Sequence, residues 1–205
     1  MKLLVESTDF KYDFDQVKKS KEENEGKLIV KGIIQRANAI NQNGRIYPKE
    51  ILLREVNNYL TLVKERKAMG ELDHDDSPIV NLKNVSHIIN DIWIDGDAIY
   101  GSVEVLPTPS GQILRSLIES NVTVGISSRA LGSVHNNGQA DIVQDDLHFI
   151  CWDMVSEPST NGAYMMKEAR EVDPRLINQI YSREYRIDRV LRDIIEKDKS
   201  SKDKK

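Results

Sequence analysis

Apolar positions along this chain follow two rhythms, and each predicts a kind of element. Ile51, Leu52, Val56, Tyr59, Leu60 and Val63 recur at three- and four-residue spacing, one face of a helix that Pro48 opens in its first turn. Ile113, Leu114, Leu117 and Ile118 repeat that spacing after Thr108-Pro109-Ser110. A longer stripe, Ile177, Ile180, Tyr181, Ile187, Leu191 and Ile194, follows Asp173 as N-cap and Pro174 as first helical residue. Strands are predicted over Leu28-Ile29-Val30 with Gly32-Ile33-Ile34, the glycine marking a possible bulge. Ile88, Ile92 and Ile94 precede Asp95-Gly96-Asp97, and Ile99, Val103 and Val105 follow it, which predicts a hairpin. Val122, Val124 and Ile126 alternate into Ser127-Ser128-Arg129, and Leu147 to Asp153 makes a further strand. Asn41-Gln42-Asn43-Gly44 and His135-Asn136-Asn137-Gly138 are turns.

Strands interspersed with helices, together with a hairpin, predict an α+β domain whose sheet is mostly antiparallel and closes as a small β-barrel flanked by helices. Polar residues dominate positions 7–26, so 1–26 reads as a flexible N-terminal arm, 27–172 as the working domain, and 173–205 as a C-terminal helix with a charged tail. With 205 residues, 39% of them hydrophobic and 30% charged, the chain is expected to be soluble, with one core. Net charge −4 gives no bulk case for a nucleic-acid partner. No apolar run reaches the roughly 20 residues of a membrane span, and the start is too soon charged for a secretory signal. A lone cysteine, Cys151, suits a reducing cytoplasm.

Three positions offer chemistry. Gly125-Ile126-Ser127-Ser128-Arg129 reads as a strand that ends and presents two hydroxyls and a cation, either a nucleophile with free backbone N–H groups nearby or a turn capped by serines. His74 precedes the acidic loop Asp75-Asp76-Ser77-Pro78. It reads as a base, as a metal ligand with Asp73, Asp75 or Asp76, or as a loop histidine. Strict alternation puts Leu147, Phe149, Cys151 and Asp153 on one face, so Asp153 continues an apolar stripe. Its carboxylate is then either hydrogen-bonded, for instance by an imidazole N–H, or at a strand end in water. No phosphate-binding glycine loop is present, and no cofactor is implied.

Four segments in order resemble the prohead core serine proteases of T-even-type tailed phages, which are related to the herpesvirus assemblins. They are Asn43-Gly44-Arg45-Ile46-Tyr47-Pro48, Gly70-Glu71-Leu72-Asp73-His74, Gly125-Ile126-Ser127-Ser128-Arg129, and Trp152-Asp153 with Glu157-Pro158-Ser159. The resemblance implies an assemblin-like fold, Ser127 as nucleophile, His74 as general base, and an acidic third member in the place of Asp153. Ser128 and Arg129 would support the oxyanion. It implies scaffold and capsid proteins as substrates, cleavage after glutamate inside the prohead in the host cytoplasm, and removable chain ends. Glu6 and Glu196 are the self-processing sites it suggests, and the C-terminal helix is a candidate contact in a homo-oligomer. Ala130 stands where the family pattern leads one to expect glycine, which would strain a residue at positive φ. A catalytically inactive capsid or scaffold component is the alternative reading, and a metal hydrolase on Asp73, His74 and Asp76 a third.

Overall fold

The computed structural model describes residues 2–10, 26–74, 77–156 and 169–171. In chain order the elements are β1 (Lys2–Asp9), β2 (Leu28–Arg36), β3 (Arg45–Ile46), α1 (Lys49–Lys64), β4 (Met69–Glu71), β5 (Val85–Asp95) and β6 (Ala98–Val105). Then come α2 (Pro109–Glu119), β7 (Gly125–Gly132), β8 (Val134–Asn136), β9 (Asp141–Val143), β10 (His148–Val155) and β11 (Ala169–Glu171). The chain divides into two compact units, Met1–Arg170 and Glu171–Lys205. The predicted C-terminal helix, its oligomer contact and Glu196 lie outside the described residues.

Three sheets form, in the orders β10-β7-β1-β11, β2-β6-β5-β4 and β3-β9-β8. Pairing is antiparallel for β1–β7, β7–β10, β2–β6, β4–β5, β5–β6 and β8–β9, and parallel for β3–β9. The mixed, mostly antiparallel architecture matches the expectation. The closed barrel does not: among the described residues the strands make three separate sheets.

Local sequence explains the elements well. The β5–β6 hairpin turns through Gly96 and Asp97 between the paired Asp95 and Ala98, and Gly96 has φ +60. Such a two-residue turn favours glycine there. Helix α1 buries Leu52, Val56, Tyr59 and Val63, with Pro48 one position earlier than predicted, as the N-cap. In α2 the Thr108 hydroxyl accepts the Gly111 N–H at 3.0 Å, capping a helix that buries Leu114 and Ile118. Ile113, predicted on that face, is exposed. The cores of the helices and sheets merge around Trp152, which lies edge-on to Tyr59 at 4.7 Å and against Phe149 at 4.5 Å.

Three expectations are corrected. Lys2–Asp9, read as part of a flexible arm, is strand β1, because Leu3, Leu4 and Val5 are apolar enough to bury beside β7. The β7 strand does not end before Ser127 but runs from Gly125 to Gly132, buried throughout. Its Ala130 does not have a positive φ, so no glycine is required. In β10 a bulge between Phe149 and Cys151 breaks strict alternation. Phe149, Trp152 and Met154 therefore join the core, while Cys151 and Asp153 share the opposite face.

Candidate active site

Ser127 lies mid-strand in β7, flanked by β1 and β10. Its cross-strand partner on β10 is Asp153, and the next pair on the same face is Arg129 with Cys151. Ser128 points to the other face, where it pairs with Trp152 and its Oγ accepts from Gln35 Nε2 at 3.4 Å. The two adjacent serines thus occupy chemically different sides of the sheet.

The Ser127 face is organised by one cation. Arg129 is fully buried. Its Nε donates to Asp153 Oδ2 at 2.6 Å and its Nη2 to Asp153 Oδ1 at 3.1 Å and Glu71 Oε1 at 2.6 Å. Its Nη1 donates to the Ser77 carbonyl at 2.7 Å. Burial works against the charge, but neighbouring Cys151, Asp153 and Glu71 outweigh it and hold the guanidinium pKa above its ordinary value. Burial first, and then the Asp153 charge, pushes the Cys151 thiol well up, so it stays protonated.

Glu71 continues the network toward the loop. Its carboxylate accepts the Asn81 N–H at 2.9 Å and Asn84 Nδ2 at 3.3 Å, while its own N–H donates to Asp153 Oδ1 at 2.9 Å. Glu71 and Ser77 bracket His74, so Arg129 ties both sides of the histidine loop to the face that carries Ser127.

Each residue of Gly70-Glu71-Leu72-Asp73-His74 has a reason. A Cβ on Gly70 would lie 2.1 Å from the Trp152 carbonyl and 2.3 Å from His87 Nε2, so glycine lets β4 pass between them. Leu72 bridges to Met154, and the Asp73 N–H donates to the Met154 carbonyl at 2.8 Å. Asp73 then turns the chain with φ +61, a conformation that aspartate tolerates better than most residues, and His74 follows.

Ser127 Oγ and His74 Nδ1 are both buried, and neither has a hydrogen-bond partner among the described residues. Asp153 makes its bonds to Arg129, the Glu71 N–H and, at 3.4 Å, the Cys151 thiol; the expected bond to His74 is absent from this set. The reason is geometric: Arg129 and the Glu71 N–H approach both carboxylate oxygens. No group of three or more His, Cys, Asp or Glu side chains suited to a metal forms among the described residues. An open groove of about 510 Å³ runs past Thr8, Lys31, Arg36 and Tyr100, and none of Ser127, His74 or Asp153 lines it.

The family described as prohead core protein serine protease matches residues 11–173. The chain belongs to that family. It is 34% identical over 115 residues to the prohead core protein protease of Enterobacteria phage T4, an alignment covering 55% of this chain and 54% of that protein. The match thus spans about half the length of that curated relative. Among solved structures, the bacteriophage T4 capsid assembly protease, gp21, is similar with a TM-score of 0.66 and 26% identity, over 76% of this chain and 98% of the other.

Within this prohead-protease fold, sequence reasoning missed Glu71 as a structural partner and read Arg129 as an oxyanion aid. The available signal was an arginine between Ile126 and Ala130-Leu131 in an apolar strand. Such a cation is buried only when carboxylates meet it.

Proposed function

We propose that the chain is a serine endopeptidase of prohead maturation, with Ser127 as nucleophile and His74 as general base. Its substrates are phage scaffold and capsid proteins and its own termini, cleaved after glutamate, inside the prohead. One observation carries the reading: a buried, unpartnered hydroxyl sits on the sheet face that Arg129 ties to the histidine loop. His74, unpartnered at Nδ1, accepts the Ser127 proton as Oγ attacks a peptide carbonyl, then delivers it to the leaving amine; water hydrolyses the acyl-enzyme. Catalytic hydrogen bonds commonly tighten only when substrate is bound.

Asp153 enters this mechanism as a positioning residue, acting with Glu71 through Arg129, in place of the direct His74 partner first expected. Arg129 is likewise a support rather than an oxyanion donor, since Nε, Nη1 and Nη2 are already engaged. The Ser128 side chain is turned toward Gln35. Ser127 has more to recommend it than Ser128, because it shares the face of Asp153 and Arg129.

The test is incubation of the full chain with a scaffold-derived substrate, followed by intact mass. Ser127→Ala and His74→Ala are expected to lower cleavage by roughly 10³-fold or more, while Ser128→Ala retains part of it. Full activity in Ser127→Ala overturns the assignment.

A further inference from the structure

Two cations of strand β2, Lys31 and Arg36, line the open groove that passes Thr8 and Gln42. Both are exposed, and neither makes an ion pair among the described residues. Other cations of this surface behave differently: Lys27 and Arg66 meet Glu104, and Lys49 meets Asp97. In a chain of net charge −4, two unpaired cations on one strand face are a local exception.

A bulge puts the two on the same face. Lys31 pairs with Ser102 and Ile33 with Tyr100, but the register then shifts, so that Arg36 pairs with Ala98. Plain alternation from Lys31 and Ile33 would bring Gln35 to the groove. The extra residue turns Gln35 inward, where it is buried, and brings Arg36 out. Ala98, Tyr100 and Ser102 alternate along β6, so the cations flank Tyr100 and their backbone positions stand about 13 Å apart along the strand.

The middle of the groove is apolar. Tyr100 is stacked on Trp93, with ring centroids 5.5 Å apart and planes within 10°, and Ile33 beside it is half-buried. Asp91 and Asp95 lie across β6, where they pair with Ser102 and Ala98, so the positive side of this face is the β2 side.

One simple chemistry matches this layout. In an extended polypeptide, side chains at i, i+2 and i+4 share a face, and i to i+4 spans about 13 Å. A carboxylate at each end then reaches Lys31 and Arg36, while an apolar side chain between them covers Tyr100 and Ile33. A nucleic-acid strand fits less well: it carries a phosphate at every nucleotide and favours a continuous basic groove, whereas the stretch between these cations is apolar.

We propose that this groove docks an acidic, extended segment of another polypeptide with the pattern acid-x-apolar-x-acid. Lys31 and Arg36 take the carboxylates, and Tyr100 takes the apolar residue. None of Ser127, His74 or Asp153 lines the groove, so docking is separable from cleavage and goes beyond the peptidase reading.

The experiment uses the full chain carrying Ser127→Ala, which removes the proposed nucleophile, and fluorescent peptides with the core Glu-Ser-Leu-Ser-Glu. One companion peptide replaces both Glu by Gln, and a second sets the two Glu three residues apart. Anisotropy at low salt is expected to show the first peptide bound at least about tenfold more tightly than the Gln companion, the gain that two charge-assisted contacts give. The respaced companion should also bind less tightly. Lys31→Gln and Arg36→Gln should each lower the affinity about threefold or more. Lys83→Gln, at an exposed cation elsewhere, should leave it unchanged. Equal affinity for the first peptide and either companion, no binding, indifference to Lys31→Gln and Arg36→Gln, or an equal loss in Lys83→Gln overturns the proposal. Oligothymidylate bound more tightly than the peptide also overturns it and marks a nucleic-acid surface instead.

Discussion

Arg129 shows how much a single side chain decides here. It is buried with two carboxylates and a carbonyl in contact, so its removal strands charge in the interior. Arg129→Met is expected to lower stability by roughly 3–5 kcal/mol, read from urea denaturation, as for any buried pair broken on one side. An unchanged midpoint would mean the network does not hold the Ser127 face together. Ser127, His74 and Asp153 stand out in the sequence as candidates, through local motifs and the resemblance those motifs carry. Their partners do not, because the bonds to Arg129 join positions 71, 77 and 153, which nothing local to Ser-Ser-Arg announces. Glu6 is a similar case: in sequence it is an ordinary acid in a short strand, and its four donors lie beyond position 40.

At the scale of elements, the two described helices and the β5–β6 hairpin were readable because short-range rules suffice for them. Spacing, a capping threonine and a turn glycine are all contained in a few consecutive residues. The β10 strand was readable as a strand but not by face. One extra residue at the Phe149/Cys151 bulge inverted the parity from which Asp153 had been placed alongside Phe149. The β4 segment is sensitive to a small change. Gly70→Ala puts a methyl group 2.1 Å from the Trp152 carbonyl, so β4 and β10 must separate. The expected cost is roughly 1–3 kcal/mol or more, with a loss of cleavage larger than the loss of folded protein, because Glu71 and His74 shift with the strand. Circular dichroism melts beside activity assays check it; a variant with native melting and native activity contradicts this account. For α2, Thr108→Ala is expected to cost about 1 kcal/mol, measured the same way, because the Gly111 N–H loses its acceptor.

Across the whole molecule, the sheet carrying Ser127 and the sheet carrying β4 and β5 meet at several polar points, and His87 is one of them. Its Nε2 lies 3.0 Å from the Trp152 carbonyl, which can only accept, so Nε2 carries the proton and Nδ1 accepts from Ser86 Oγ at 2.8 Å. The neutral ring therefore satisfies both sheets. Burial lowers the His87 pKa from 6.5 to about 4, with the Trp152 carbonyl pulling weakly the other way. A histidine with a depressed folded-state pKa takes up its proton more readily in the unfolded chain. Stability from this group is thus complete above pH 6.5, falls as pH drops from 6.5 toward 4, and levels off below that. The full shift corresponds to about 3 kcal/mol. His87→Gln keeps an N–H for the Trp152 carbonyl without titrating near neutrality, so its unfolding free energy should change less over that window than the wild type's. Denaturant midpoints at half-unit pH intervals measure the difference. Parallel profiles for the two proteins would remove His87 as the source of acid sensitivity.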